Sequence, residues 1–144
     1  MTYMRFISTD ERKVTLAELD AALKHITPQG RVNPTPPGEV YADLEVDGTV
    51  HAELEINFPG DDIFKEELDE LREPVEWYSD TPHRARVLNT LDNAHWILCF
   101  ELLEAGWKGD IVDRLCDWLL ENRTGLLEID GEGYFDLDNL VLEF

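Results

Sequence analysis

Between Val40 and Phe58 apolar residues recur at every second position: Val40, Ala42, Leu44 and Val46, then Val50, Ala52, Leu54, Ile56 and Phe58. A period of two marks strands with one face buried, and Asp47-Gly48 between the two runs marks the reversal of a hairpin. A two-residue turn at that point pairs Val46 with Thr49 and sends the two apolar rows to opposite faces, because a one-residue slip inverts every side chain. A three-residue loop, Val46-Asp47-Gly48, with Gly48 in the left-handed conformation of a bulge, avoids this and is expected to pair Leu44 with Val50 and Ala42 with Ala52. The opposite face then carries Glu39, Tyr41, Asp43, Glu45, His51, Glu53 and Glu55, with Glu39 across from Glu55.

The hairpin, residues 39–58, needs neighbours and a covering layer. Residues 3–8 read as a first strand, and Thr15-Leu-Ala-Glu18 reads as a capping box that opens a helix with Leu16, Leu19, Leu23 and Ile26 on one stripe. Pro28 stops that helix, and Thr27–Gly38, with its four prolines and two glycines, reads as a connecting loop. Asp61 or Asp62 caps a second helix with Phe64, Leu68 and Leu71 facing inward and Pro74 as its end. Thr81-Pro82 opens a long helical segment toward Glu104; alternatively its early part is extended and Asp92 caps a shorter helix. The nearly all-apolar run Ala94–Phe100 is expected to be the central buried element. Asp110 caps a last helix carrying Ile111, Leu115, Trp118 and Leu119, and the runs 126–129 and 140–142 read as a closing strand pair. The pattern predicts a single α+β domain over residues 1–144, an antiparallel sheet built on the hairpin and the terminal strands and packed against about four helices.

Few residues are placed for chemistry. His95 and Cys99, four apart in the expected helix, have the spacing of a base and a thiol nucleophile, but their apolar surroundings suit a buried thiol better. With Cys116 they form an incomplete zinc set. Asp130, Glu132, Asp136 and Asp138 cluster around glycines like an oxygen-rich cation loop. The EF-hand pattern fails there, since Phe135 stands where Gly is required and Val141 where Glu is required. With two serines and no phosphate-binding glycine motif, neither a cofactor nor a catalytic group is expected.

Charge is the remaining signal. Thirty-two acidic residues against twelve basic ones give a net charge of −20, distributed as −12 over residues 1–80 and −8 over the rest. Such a balance opposes direct binding to nucleic acid or anionic membranes and favours a basic protein partner. No run is long and apolar enough to span a bilayer, and two cysteines make no disulfide framework, so a cytoplasmic location is expected. In size, acidity and α+β pattern the chain resembles the broad class of bacterial immunity proteins, which inhibit a basic toxin or nuclease; DNA mimicry is a variant of the same idea. The expected contact residues are Tyr41, Asp43, Glu45, Glu53 and Glu55 on the hairpin and Glu66, Asp69, Glu70, Glu73 and Trp77 on and after the acidic helix. There, like charges four residues apart repel by a few tenths of a kcal/mol each (~0.2–0.5). The competing expectations are a small enzyme or divalent-cation domain built on the 130–138 loop, and an acidity that serves solubility alone.

Overall fold

A computed structural model of the chain describes residues 2–36 and 40–144. The elements are β1 (Thr2–Ser8), α1 (Leu16–Ile26), β2 (Gly30–Pro34), β3 (Tyr41–Val46), β4 (Thr49–Asn57), α2 (Asp62–Glu76), α3 (Pro82–Asp92), β5 (Trp96–Leu102), α4 (Glu104–Lys108), α5 (Ile111–Asn122), β6 (Gly125–Ile129), β7 (Gly133–Phe135) and β8 (Leu140–Glu143). The strands form one open antiparallel sheet in the order β2-β3-β4-β5-β1-β6-β7-β8. The fold is therefore the expected α+β class, a sheet packed against helices.

Alternation along each strand sorts side chains onto two faces. One face presents Met4, Phe6, Leu44, Leu54, Trp96, Leu98 and Phe100 to α1 and α5, which bury Leu19, Leu23, Leu115 and Leu119 against it. The Thr15 capping box is formed as expected, with each partner satisfying the other's backbone N–H. The second face meets α2 and α3, whose Phe64, Leu71, Val75, Val87 and Leu91 pack on Ile7, Ile97, Leu126, Tyr134 and Leu142. The contact of α2 and α3 covers only part of that second face. Among the described residues, no helix is long and apolar enough to cross a membrane.

Several local expectations are corrected. The segment from Thr81 toward Glu104 is not one helix: α3 ends at Asp92 with Asn93 as its cap, and Trp96–Leu102 is a strand. Flanked by β1 and β4 and buried at every position but Glu101, β5 is the central buried element, and such a strand reads as a nearly continuous apolar run with little alternation to reveal it. The Asp47-Gly48 turn is the two-residue form, with both residues at positive φ and Val46 paired with Thr49. A register shift after it leaves His51 as the extra residue, so that Leu44 pairs with Ala52 and Ala42 with Leu54. The bulge, not the turn, brings Ala52, Leu54 and Ile56 to the face of Ala42 and Leu44, while Val50 stays opposite Glu45. The 27–38 segment holds an edge strand, β2, while Pro37, Gly38 and Glu39, with the expected Glu39–Glu55 opposition, lie outside the described residues. Pro74 sits within the last turn of α2, which runs on to Glu76, and β7 makes the closing pair a three-strand meander.

The His51 carbonyl in the bulge accepts from the Leu103 N–H at 3.0 Å, and α4 packs on it through Gly106. A Cβ at Gly106 would lie 2.0 Å from that oxygen. Gly106→Ala is expected to destabilise the protein by about 1–3 kcal/mol, as other overpacked sites do, read from the urea midpoint at unchanged m-value.

Candidate functional site

Antiparallel registers place residues of all eight strands in rows across the second face. One row runs Asn33, Asp43, Glu53, Glu101, Tyr3 from β2 to β1. The next runs Tyr41, Glu55, Cys99, Arg5, Glu128, Tyr134, Leu142 from β3 to β8. The third, Asn57, Ile97, Ile7, Leu126, lies at the end of the sheet where α2 and α3 pack. The polar first row and the near half of the second are left open.

Asp43, Glu53 and Glu101 stand directly opposite one another on three adjacent strands, about 4.8 Å apart at the backbone. Like charges in that relation destabilise a sheet. The Tyr41 hydroxyl donates to Glu55 Oε1 at 3.3 Å. Burial raises the pKa of Glu55, the Tyr41 hydrogen bond pulls it down, and the negative charges of Glu67 and Asp61 raise it again. The Glu101 charge is the largest factor raising Tyr3. Arg31 faces Glu45 in register but does not come within ion-pair distance of it.

Arg5 closes the open region. Its Nε donates to Glu67 Oε2 of α2 at 3.1 Å, and its Nη1 donates to Glu128 Oε1 and Asp130 Oδ1, each at 2.8 Å. Glu67 Oε1 also accepts from Asn57 Nδ2 at 3.2 Å. Burial works against the charge of Arg5, but Glu128 and Asp130 outweigh it and hold the guanidinium protonated. The Glu128 side chain is only 4% exposed; burial pushes its carboxyl up to about 7 against the pull of Arg5, with Asp130 adding to the rise.

The ten expected contact residues fall into two groups. Tyr41, Asp43, Glu53 and Glu55 lie in the open rows, and Glu45 stands beside the bulge across from Arg31. On α2, Phe64, Leu71 and Val75 point to the sheet, whereas Glu66, Glu70, Glu73 and Trp77 recur at three- and four-residue spacing on another stripe. Asp69 lies farther around, and Trp77 is 84% exposed. Glu55 feels the charges of Glu67 and Asp61, neither of which belongs to the expected α2 group.

The residues that resembled a cation loop go separate ways. Asp130 binds Arg5, Asp136 accepts from Arg86 and from the N–H groups of Asp138 and Asn139, and Glu132 and Asp138 are exposed. Among the described residues, no group of three or more His, Cys, Asp and Glu side chains is placed to hold a metal ion. His95 and Cys99 lie about 13 Å apart along a strand instead of one helical turn apart. Burial, with Glu67 next, pushes the Cys99 thiol up to about 12, and Cys116 belongs to the core on the other face of the sheet.

Glu101, Tyr3, Arg5, Glu67 and Glu128 are site residues that sequence reasoning missed. A signal existed for two of them: Arg5 in Met4-Arg-Phe-Ile7 and Glu128 in Leu126-Leu-Glu-Ile129 are single opposite charges inside otherwise apolar strands, the pattern of a buried ion pair. No family model, curated protein or solved structure matches the chain.

The buried carboxyl generates a pH prediction. Its folded-state value of about 7 lies above the ordinary 4.5, so between those limits the folded state binds more protons than the unfolded one. The stability contributed by Glu128 is full below the ordinary value and is lost as pH rises through about 7. The stability of the protein relative to Glu128→Gln should therefore fall by on the order of 3 kcal/mol between about pH 4 and pH 8. Asp10, depressed to about 2 mainly by its hydrogen bond from Arg12, acts with opposite sign in a lower window and cancels in the difference. Chemical denaturation of both proteins across that range checks it.

Proposed function

We propose that the protein is a non-enzymatic binding protein that docks a basic protein partner on the open half of its second sheet face. The observation that carries this is the row Asp43, Glu53, Glu101. Three carboxylates stand in direct register with no cation among the described residues within ion-pair distance of any of them, and Glu45 and Glu55 nearby are in the same state. The ion pairs that do form engage carboxylates elsewhere, such as Asp10, Glu18, Asp20, Asp92 and Glu104. A lysine- or arginine-rich surface would relieve the repulsion at the moment of contact and would be steered to it over long range.

Tyr3 and Tyr41 flank the carboxylates and supply aromatic area of the kind enriched at protein interfaces. The charges form a patch two rows deep and interrupted by these rings, a shape that favours a folded basic protein over mimicry of a DNA strand. Inhibition of a basic toxin or nuclease is the use this surface suits best, since covering a cationic active surface needs affinity and no chemistry. Trp77 and the stripe of Glu66, Glu70 and Glu73 extend the contact onto α2, with Asp69 at its margin.

This reading sets stability against binding at the same residues. Glu53→Lys should raise stability by roughly 0.2–1 kcal/mol by breaking the like-charge row, and it should weaken the partner complex by about tenfold or more. The partner is first isolated from native lysate by its release at high salt, then purified and titrated against Glu53→Lys and against a control reversal at the exposed Glu11 and Glu121. Equal losses in the two variants would show that total charge, not this face, governs the contact.

A further inference from the structure

The strands β1, β6 and β7 and the helix α2 border a half-open cavity of about 350 Å³ around Arg5, small but within reach of small-ligand sites, which start near ~300 Å³. Its lining is divided. Leu71, Pro74 and Phe144 form an apolar wall, and Glu67, Glu70, Glu128 and Asp130 gather carboxylates around the single guanidinium. Glu67 is occupied on both oxygens by Arg5 and Asn57. Glu128 and Asp130 each give one oxygen to Arg5, and Glu70 has no hydrogen-bond partner among the described side chains. Formal charge inside the ring of lining residues is negative after Arg5 is counted, so an anion is disfavoured there.

A second observation is independent of the charges. Tyr134 also lines the cavity and is 0% exposed, yet its hydroxyl finds no hydrogen-bond partner in the protein. Phe144 meets its ring edge-on at 5.7 Å and holds it in place. Buried hydroxyls are almost always bonded, and an orphan one marks a missing partner. The phenol can accept one hydrogen bond and donate another.

We propose that this cavity binds an organic cation, an ammonium or guanidinium head on an aliphatic stem. The stem lies on Leu71, Pro74 and Phe144. The head's N–H donors reach the spare oxygens of Glu128, Asp130 and Glu70 and the orphan hydroxyl of Tyr134. A bare metal ion suits the site less well, because no three acidic, histidine or cysteine side chains among the described residues are spaced to ligate one, whereas several dispersed N–H donors match dispersed acceptors. The inference stands on the cavity alone; only the idea that the head belongs to a lysine or arginine of the basic partner rests on the function proposed above. A free amine is the other source of the same chemistry.

Calorimetric titration of the full chain with n-butylammonium, with N-acetyl-lysine methylamide and with 1-butanol as the uncharged control tests it. The two cations should saturate one site, and butanol should not bind. Glu70→Gln, an exposed and therefore fold-neutral change, should weaken binding by about tenfold. Tyr134→Phe should weaken it by about fivefold while leaving the melting temperature unchanged or higher, since it removes an unsatisfied hydroxyl. A purely structural role would not separate those two readouts. Affinity should rise with pH through about 7 as Glu128 gives up its proton. Competition between the lysine probe and the purified partner assigns the site to a partner side chain; simultaneous binding of both assigns it to a free amine. Heats that never saturate, or affinity unmoved by Glu70→Gln and Tyr134→Phe, overturn the proposal, and they do so without touching the open-face reading if the Glu53→Lys loss persists.

Discussion

One guanidinium ties the architecture together. Arg5 stands on a central strand and binds α2 through Glu67, β6 through Glu128 and the turn after it through Asp130. Taking such ions out of water costs several kcal/mol each, and the cost is offset only where geometry and additional hydrogen bonds satisfy the remaining donors and acceptors. Here Asn57 completes Glu67, so the contact spans four separate segments of chain. Removing one partner from a cluster of this kind typically costs about 3–5 kcal/mol, because an uncompensated charge stays behind.

The position of α2 follows from that contact. With Phe64, Leu71 and Val75 on the apolar end of the sheet and Glu67 pinned to Arg5, the helix cannot slide toward β3 and β4 without breaking the pair. Nor is there anything there for it to cover favourably. An apolar helix stripe laid over Asp43, Glu53 and Glu101 would desolvate three carboxylates that have no counterion, the costliest kind of burial. The same sheet face is thus half core and half open surface, and the border runs through the row that contains Arg5.

Most of the scaffold was legible because amphipathic elements announce their period. The 40–58 hairpin, α1 with its capping box, α2 and α5 all have one wet face and one dry face. Legibility failed where almost every position is dry. Trp96–Leu102 shows almost no alternation, and a helical reading takes Glu101 out of the acidic row and sets Cys99 beside His95, although a run this short, apolar but for Glu101, suits a strand better than a helix in length. The hairpin turn is illegible for a different reason: a two-residue turn conflicts with the apolar pattern only in a regular ladder, and a bulge at His51 satisfies both the favoured turn and the apolar face. The candidate site was half legible. The hairpin acids could be read from alternation, but their neighbours across the sheet depend on which strands adjoin, and a long-range pairing such as β5 with β4 leaves no local trace.

The proposed function rests on where the charges are placed rather than on how many there are. A net charge of −20 keeps a protein dispersed wherever the charges sit, and solubility is best served by scattering them among cations, as Asp20 with Lys24, Glu104 with Lys108 and Arg86 with Asp136 do here. Stacking Asp43, Glu53 and Glu101 side by side on adjacent strands adds nothing to dispersion that the same residues on a loop would not provide, and it weakens the sheet at its middle. Edge protection does not account for it either, since the row crosses β3, β4 and β5 rather than following the edge strand β2. Under the proposed function, repulsion kept in the interior of the sheet, on a part of its face that no described helix covers, is what a basic partner would relieve.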